Sequence, residues 1–249
     1  MTTTADRLDT RPGAASAADE AGDRFVGSGL LLLAALFVSV QVLAGEVIPP
    51  LAVPVVLYTA LGAAVLRWRR RWLLITVVVL VTVHLLTSVP FIAAALAHPE
   101  TPASFLPDTF ILVVALAVGI GAIMGVRAPD ANRRPVTAVA AAGVFLAVAI
   151  SAVAATGVGS EEQQPGDVTV EAVSSQFPDE VVVPTEGAVL WVDNHDPFRH
   201  TVVVEGTDIH AELPGSTAVR VPVDLAPGTY RYFCDVPGHS RMEGQLVVQ

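Results

Sequence analysis

Cysteine is almost absent from this chain and lysine is missing altogether: 249 residues hold one Cys, three Met, six His and fourteen basic side chains, all of them arginine. A lone thiol forms no intrachain disulfide, so neither stability nor compartment can be read from cysteine pairing. Positive charge is scarce too, with 14 arginines facing 24 carboxylates for a net charge of −10. That balance excludes nucleic acid as a partner, because phosphate binding needs a basic surface. Charged residues make up 15% of the chain and hydrophobic ones 53%, with a mean hydropathy of +0.60. Such a chain is too apolar for an ordinary soluble domain and reads as a membrane protein, the lipid bilayer its first partner.

Residues 1–24 (MTTTADRLDTRPGAASAADEAGDR) are rich in Ala, Thr, Asp and Gly without apolar periodicity, the composition of a disordered tail. From Phe25 the chain turns into long apolar runs, each near the roughly 20 residues a helix needs to cross hydrocarbon. Five spans are predicted within 25–155: Phe25–Ala44, Val47–Leu66, Trp72–Ala97, Thr109–Val126 and Val136–Ala155. The first is long and lacks a small-residue cleavage site after it, so it reads as a span and not a cleaved signal peptide.

Arginine placement orients the spans, since cytoplasmic loops collect positive charge. Ten of the fourteen arginines lie in the tail, in RWRRR (67–71) or in RAPDANRR (127–134), whereas the alternate loops GEV and HPETPASFLPD hold none. The expected arrangement is a multi-pass protein of the cell membrane with a cytoplasmic N-terminus and an extracytoplasmic C-terminus.

TGVGSEEQQPGD is polar and Gly-rich, and 156–166 reads as a linker. From there the texture changes again. Short β-branched runs (VTVEAV, EVVVP, AVLWV, HTVVV, STAVRVPV, TYRYF, GQLVV) alternate with turn signals such as NHDP and APG, which predicts a small antiparallel sandwich over 167–249. Roughly eighty residues suffice for one core.

The one cysteine lies in YRYFCDVPGHSRMEGQLVV. Cys234, His239 and Met242 are spaced Cys-x4-His-x2-Met on the loop joining the last two predicted strands. One loop thus brings a thiol, an imidazole and a thioether to one place. A thiolate with two imidazoles and a weak axial thioether suits copper in both oxidation states. The second imidazole has two candidates in WVDNHDPFRHTVVV: His200 leads directly into a strand, whereas His195 sits in a turn before Pro197 and reads as a solvated turn residue. His210, in GTDIHAELPG, reads as surface loop.

These two stretches together, VLWVDNHDPFRHTVVV and GTYRYFCDVPGHSRMEGQLVV, resemble the paired signature of the cupredoxin family over about Asp167–Gln249, a third of the chain. The resemblance implies a Greek-key β-sandwich with one type 1 (blue) copper ion shuttling single electrons. It implies His200, Cys234 and His239 as equatorial ligands, Met242 as axial ligand and Thr201 beside the site. The His239–Met242 spacing is x2 where many small blue copper proteins have x4; x2 also occurs in the family. The fold class expected for the whole chain is therefore an all-α membrane domain followed by an all-β cupredoxin-like sandwich.

Counting excludes two enzyme-like relatives. The binuclear site of cytochrome oxidase needs two bridging cysteines, and multicopper oxidases flank the ligand cysteine with histidines, where Cys234 has Phe233 and Asp235. The expected function is an electron carrier, not an enzyme, serving redox partner proteins such as a membrane respiratory complex. A copper acquisition or delivery protein is the alternative, against which three Met in the whole chain argue; a third reading makes the copper domain the electron entry of a membrane redox enzyme. From Glu161 onward 15 carboxylates face 4 arginines, a face suited to solubility or to steering a basic partner. His84, in mid-span, reads as a helix–helix hydrogen bond or as a contact to quinone or a partner subunit. Haem held between His84 and His98 is disfavoured, because fourteen residues along one helix separate them by about 21 Å.

Overall fold

The computed structural model describes residues 12–44, 47–129, 131–239 and 241–249. Five helices come first: α1 (Pro12–Ala44), α2 (Pro49–Trp68), α3 (Arg71–Leu96), α4 (Pro102–Arg127) and α5 (Arg134–Ala155). Each is long and apolar enough to cross a membrane, α1 over Ala21–Ala44. Helix α1 begins inside the stretch whose composition suggested a tail, since Pro at the first helical position is preorganised and AASAADEA is rich in helix formers. Residues 1–11 of that stretch lie outside the described residues. Helix α4 begins seven residues ahead of the Thr109 expected from hydropathy. Pro102 opens it, and the Thr101 carbonyl accepts from the amides of Ser104 and Phe105. Polarity of the PETPASFLPD segment misled the reading: Pro107 lies inside the helix, where it withholds the amide that would bond to the Ala103 carbonyl, yet the helix continues through it.

Two compact units divide the chain: the described residues of Met1–Ser39, Val47–Leu86 and Val113–Ala142, and those of Val40–Glu46, Thr87–Leu112 and Gly143–Gln249. In the first, α1 and α2 approach closely where Gly27 meets the carbonyl of Gly62, the small-residue contact that lets apolar helices pack without a hydrophobic driving force. Arg71 donates from Nη2 to the Val126 carbonyl in the last turn of α4 at 2.8 Å. His84 stands edge-on to the rings of Phe37 and Tyr58, centroids 5.3 and 5.8 Å away.

In the second unit eight strands follow the helices: β1 (Val168–Ala172), β2 (Glu180–Val183), β3 (Ala188–Asn194), β4 (His200–Val204), β5 (His210–Leu213), β6 (Ala218–Val223), β7 (Gly228–Phe233) and β8 (Glu243–Val248). One sheet runs β1-β3-β6, the other β2-β8-β7-β4-β5. Alternate residues of β2 and β3 point inward, as a half-buried strand requires. Both sheets feed one core of Val170, Leu190, Val202, Leu213, Tyr232 and Leu246 among others.

Two features depart from the expectation. The sandwich is not wholly antiparallel, for β1 pairs parallel with β3 and β2 with β8. And His210 is not in a loop; it opens β5, an edge strand with only Leu213 fully buried, so no apolar alternation marks it.

Candidate metal centre

Strand β4 lies between β7 and β5, which makes its first residue, His200, an interior position at one end of the sandwich. Its side chain is completely buried. Strand β7 ends at Phe233, and Cys234 follows at once. The loop then returns to β8, and its mouth is closed by the Cys234 amide donating to the Met242 carbonyl at 2.9 Å. Inside it the amides of His239 and Met242 bond back to the carbonyls of Val236 and His239. The turn depends on Gly238, whose φ of 98° is one that side-chain-bearing residues rarely adopt.

Donor atoms of His200, Cys234 and His239 all lie within 4.8 Å of one another. His200 Nδ1 is 3.0 Å from His239 Nδ1, and Cys234 Sγ is 3.6 Å from His239 Nδ1 and 3.9 Å from His200 Nδ1. Met242 is buried at the foot of the same loop. His195, the rival for His200, is at the surface against Asp193, 3.2 Å away. Thr201, one residue after His200, donates from Oγ1 to Asp235 Oδ1 at 2.8 Å, receives the Asp235 amide at 3.0 Å and lies 3.6 Å from Cys234 Sγ.

Burial sets the proton inventory. It pushes both imidazoles below the usual histidine range, His239 to about 4 with His200 adding to the effect. Both rings are therefore neutral at pH 7 and offer lone pairs. Burial also pushes the Cys234 thiol up, so a metal ion must displace its proton on binding. Two imidazole nitrogens and one soft sulfur within 4.8 Å of one another, two of the three side chains buried, are a donor set that fits copper.

Reasoning from sequence missed Asp196. Its Oδ2 is 2.9 Å from His200 Nε2, on the far side of the ring from the cluster. Asn194, buried beneath it, donates from Nδ2 to the carbonyls of Phe198 and Pro214 at 2.9 and 3.0 Å and accepts the Asp196 amide. The only signal was the carboxylate four residues ahead of His200.

Residues 138–248 match the family described as "Cupredoxin-like domain". A copper-containing nitrite reductase (NirK) from Thermus scotoductus SA-01 is 27% identical, with a TM-score of 0.30, over 37% of this chain and 24% of that one. The chain thus spans about a quarter of that protein's length. A mutant of amicyanin in its reduced Cu(I) form is 20% identical, with a TM-score of 0.32, over 37% of this chain and 90% of amicyanin. A second amicyanin mutant, also Cu(I), is 19% identical with a TM-score of 0.31. No curated protein matches the chain. The β-domain that ends this chain is a cupredoxin-like domain, and its His200–Cys234–His239 cluster is one that could bind copper.

Proposed function

We propose that the chain is a multi-pass membrane protein whose C-terminal domain holds one type 1 copper ion and passes single electrons outside the cytoplasm. The observation that carries this reading is the cluster itself: two neutral imidazoles and one thiol within 4.8 Å, with Cys234 and His200 buried. His200, Cys234 and His239 would hold the ion equatorially, and Met242, buried on the same loop, would be the axial thioether. Bound copper would supply a reversible one-electron couple. The protein's part is to keep the donors fixed and dry, so that little has to rearrange between oxidation states. His239 is the least buried of the three donors and would be where electrons enter and leave. Fifteen carboxylates against four arginines from Glu161 onward would draw a basic redox partner.

The alternation of arginine-rich and arginine-free loops supports a cytoplasmic N-terminus and an external copper domain. Copper delivery, the rival role, is disfavoured by the burial of Cys234, which leaves the sulfur little access to an acceptor protein.

The test uses the full-length chain in detergent, loaded with Cu(II), beside Cys234→Ser. An intense visible thiolate-to-copper band with a narrow copper hyperfine splitting, both lost in the variant, is the expected result. A pale spectrum indifferent to the substitution would overturn the type 1 reading.

A further inference from the structure

Asp196 is the one carboxylate among the described residues that touches a member of the cluster and faces away from solvent. Its side chain is 14% exposed, and Oδ2 lies 2.9 Å from His200 Nε2. The carboxylate is held from the other side by two peptide groups: the amide of Ser174 donates to Oδ1 and that of Ser175 to Oδ2, each at 2.8 Å. Ser174 and Ser175 both have left-handed backbones, with φ of 55° and 54°. Two consecutive non-glycine residues in that region are strained, and here the conformation turns both N–H groups onto one carboxylate. The Asp196 carbonyl in turn accepts the amide of Ser216, which is left-handed as well. Loops 22 residues apart in sequence therefore converge on this side chain.

A carboxylate accepting from Nε2 fixes the proton there and leaves Nδ1 as the lone pair facing His239 and Cys234. It also places a full negative charge one imidazole ring from the metal position, in surroundings drier than bulk water. A charge so placed stabilises the more positive ion: in Cu(II) + e− ⇌ Cu(I) it favours the left-hand side. We propose that Asp196 is a positioning residue that fixes the tautomer of His200 and holds the reduction potential of the copper site below the value the three donors and Met242 would give alone. The inference rests on the copper reading above.

The experiment compares full-length wild type with Asp196→Asn, which keeps size and an acceptor oxygen but removes the charge, and with Asp193→Asn. Asp193 is a carboxylate of β3 paired with His195 at the surface, so its loss controls for a change in net charge alone. Protein-film voltammetry, with the electrode supplying the electron, reads the potential. Asp196→Asn is expected to keep the blue band and to shift the Cu(I)/Cu(II) equilibrium toward Cu(I) about tenfold, an upward move of about 59 mV for a one-electron couple. Asp193→Asn should move it far less. Equal shifts in the two variants overturn the role of Asp196 while leaving the copper site intact; a wild type without the blue band overturns the copper reading as well. Nitrogen-15 NMR of the metal-free wild type, where no metal dictates the tautomer, serves even where the variant does not fold. A His200 ring protonated at Nε2 is expected, and a ring with its proton at Nδ1 overturns the proposal.

Discussion

Thr201 and Asp235 are joined twice, the threonine Oγ1 donating to the aspartate carboxylate at 2.8 Å and accepting the Asp235 amide at 3.0 Å. The pair latches the strand that carries His200 to the loop that carries the other donors. Thr201→Val keeps the shape and removes both bonds, leaving the Asp235 amide without its partner. A loss of about 1–3 kcal/mol is expected, read as a lower thermal midpoint of the metal-free protein and faster copper release to a chelator. An unchanged midpoint and release rate would show that the latch is incidental.

Acid should weaken the metal-free domain in a defined window. His200 and His239 are held below the ordinary value of 6.5, His239 at about 4. The unfolded chain therefore takes up protons that the folded one refuses. Stability is fully present above about pH 6.5 and declines as the pH falls toward 4. Denaturant midpoints at pH 7, 5.5 and 4.5, followed by Trp191 fluorescence, should fall in that order. His239→Ala should flatten the decline.

Gly244 faces Tyr232 across the β7–β8 ladder, and a methyl group there would run into the Pro178 carbonyl and the tyrosine ring. Gly244→Ala is expected to cost about 1–3 kcal/mol through overpacking. Tyr232→Phe, which loses only the 2.7 Å bond from the tyrosine hydroxyl to Pro178, should cost about 1 kcal/mol. A thermal scan of both variants separates the two; if alanine is the milder change, the close approach of strand and loop does not govern this corner.

Asn194→Ala would strip the carbonyls of Phe198 and Pro214 and the Asp196 amide of one shared partner. Because the site is buried, a destabilisation of about 2–3 kcal/mol is expected, with weaker copper retention because the segment leading into His200 loses its floor. Asn194→Asp should fare no better, as a carboxylate cannot donate to those carbonyls. Calorimetry with and without copper checks both.

Much of the site could be read from the chain because three candidate donors lie within nine residues on one loop, where spacing alone declares them. His200 was nameable because it opens a run of β-branched residues. Asp196 was not, since its importance comes from backbone groups of Ser174 and Ser175 that no local pattern announces. The helices were legible by their length in apolar residues, but the start of α4 was hidden by its prolines and polar first turn. Strand β5 escaped because an edge strand with a single fully buried residue carries no alternation.

Beyond the end of α5, Ser160 accepts the Ala218 amide on its hydroxyl, the Glu161 amide donates to the Ala218 carbonyl, and Trp191 Nε1 donates to the Glu161 carbonyl. The segment after α5 is thus stitched to the β-domain almost at once, and only residues 156–159 are left between helix and sandwich. Fully extended, such a stretch reaches less than about 20 Å. Whatever holds α5 also keeps the β-domain on a short leash; on the function proposed above, the domain could not range in search of a donor or acceptor, and an electron-transfer partner would have to travel to it.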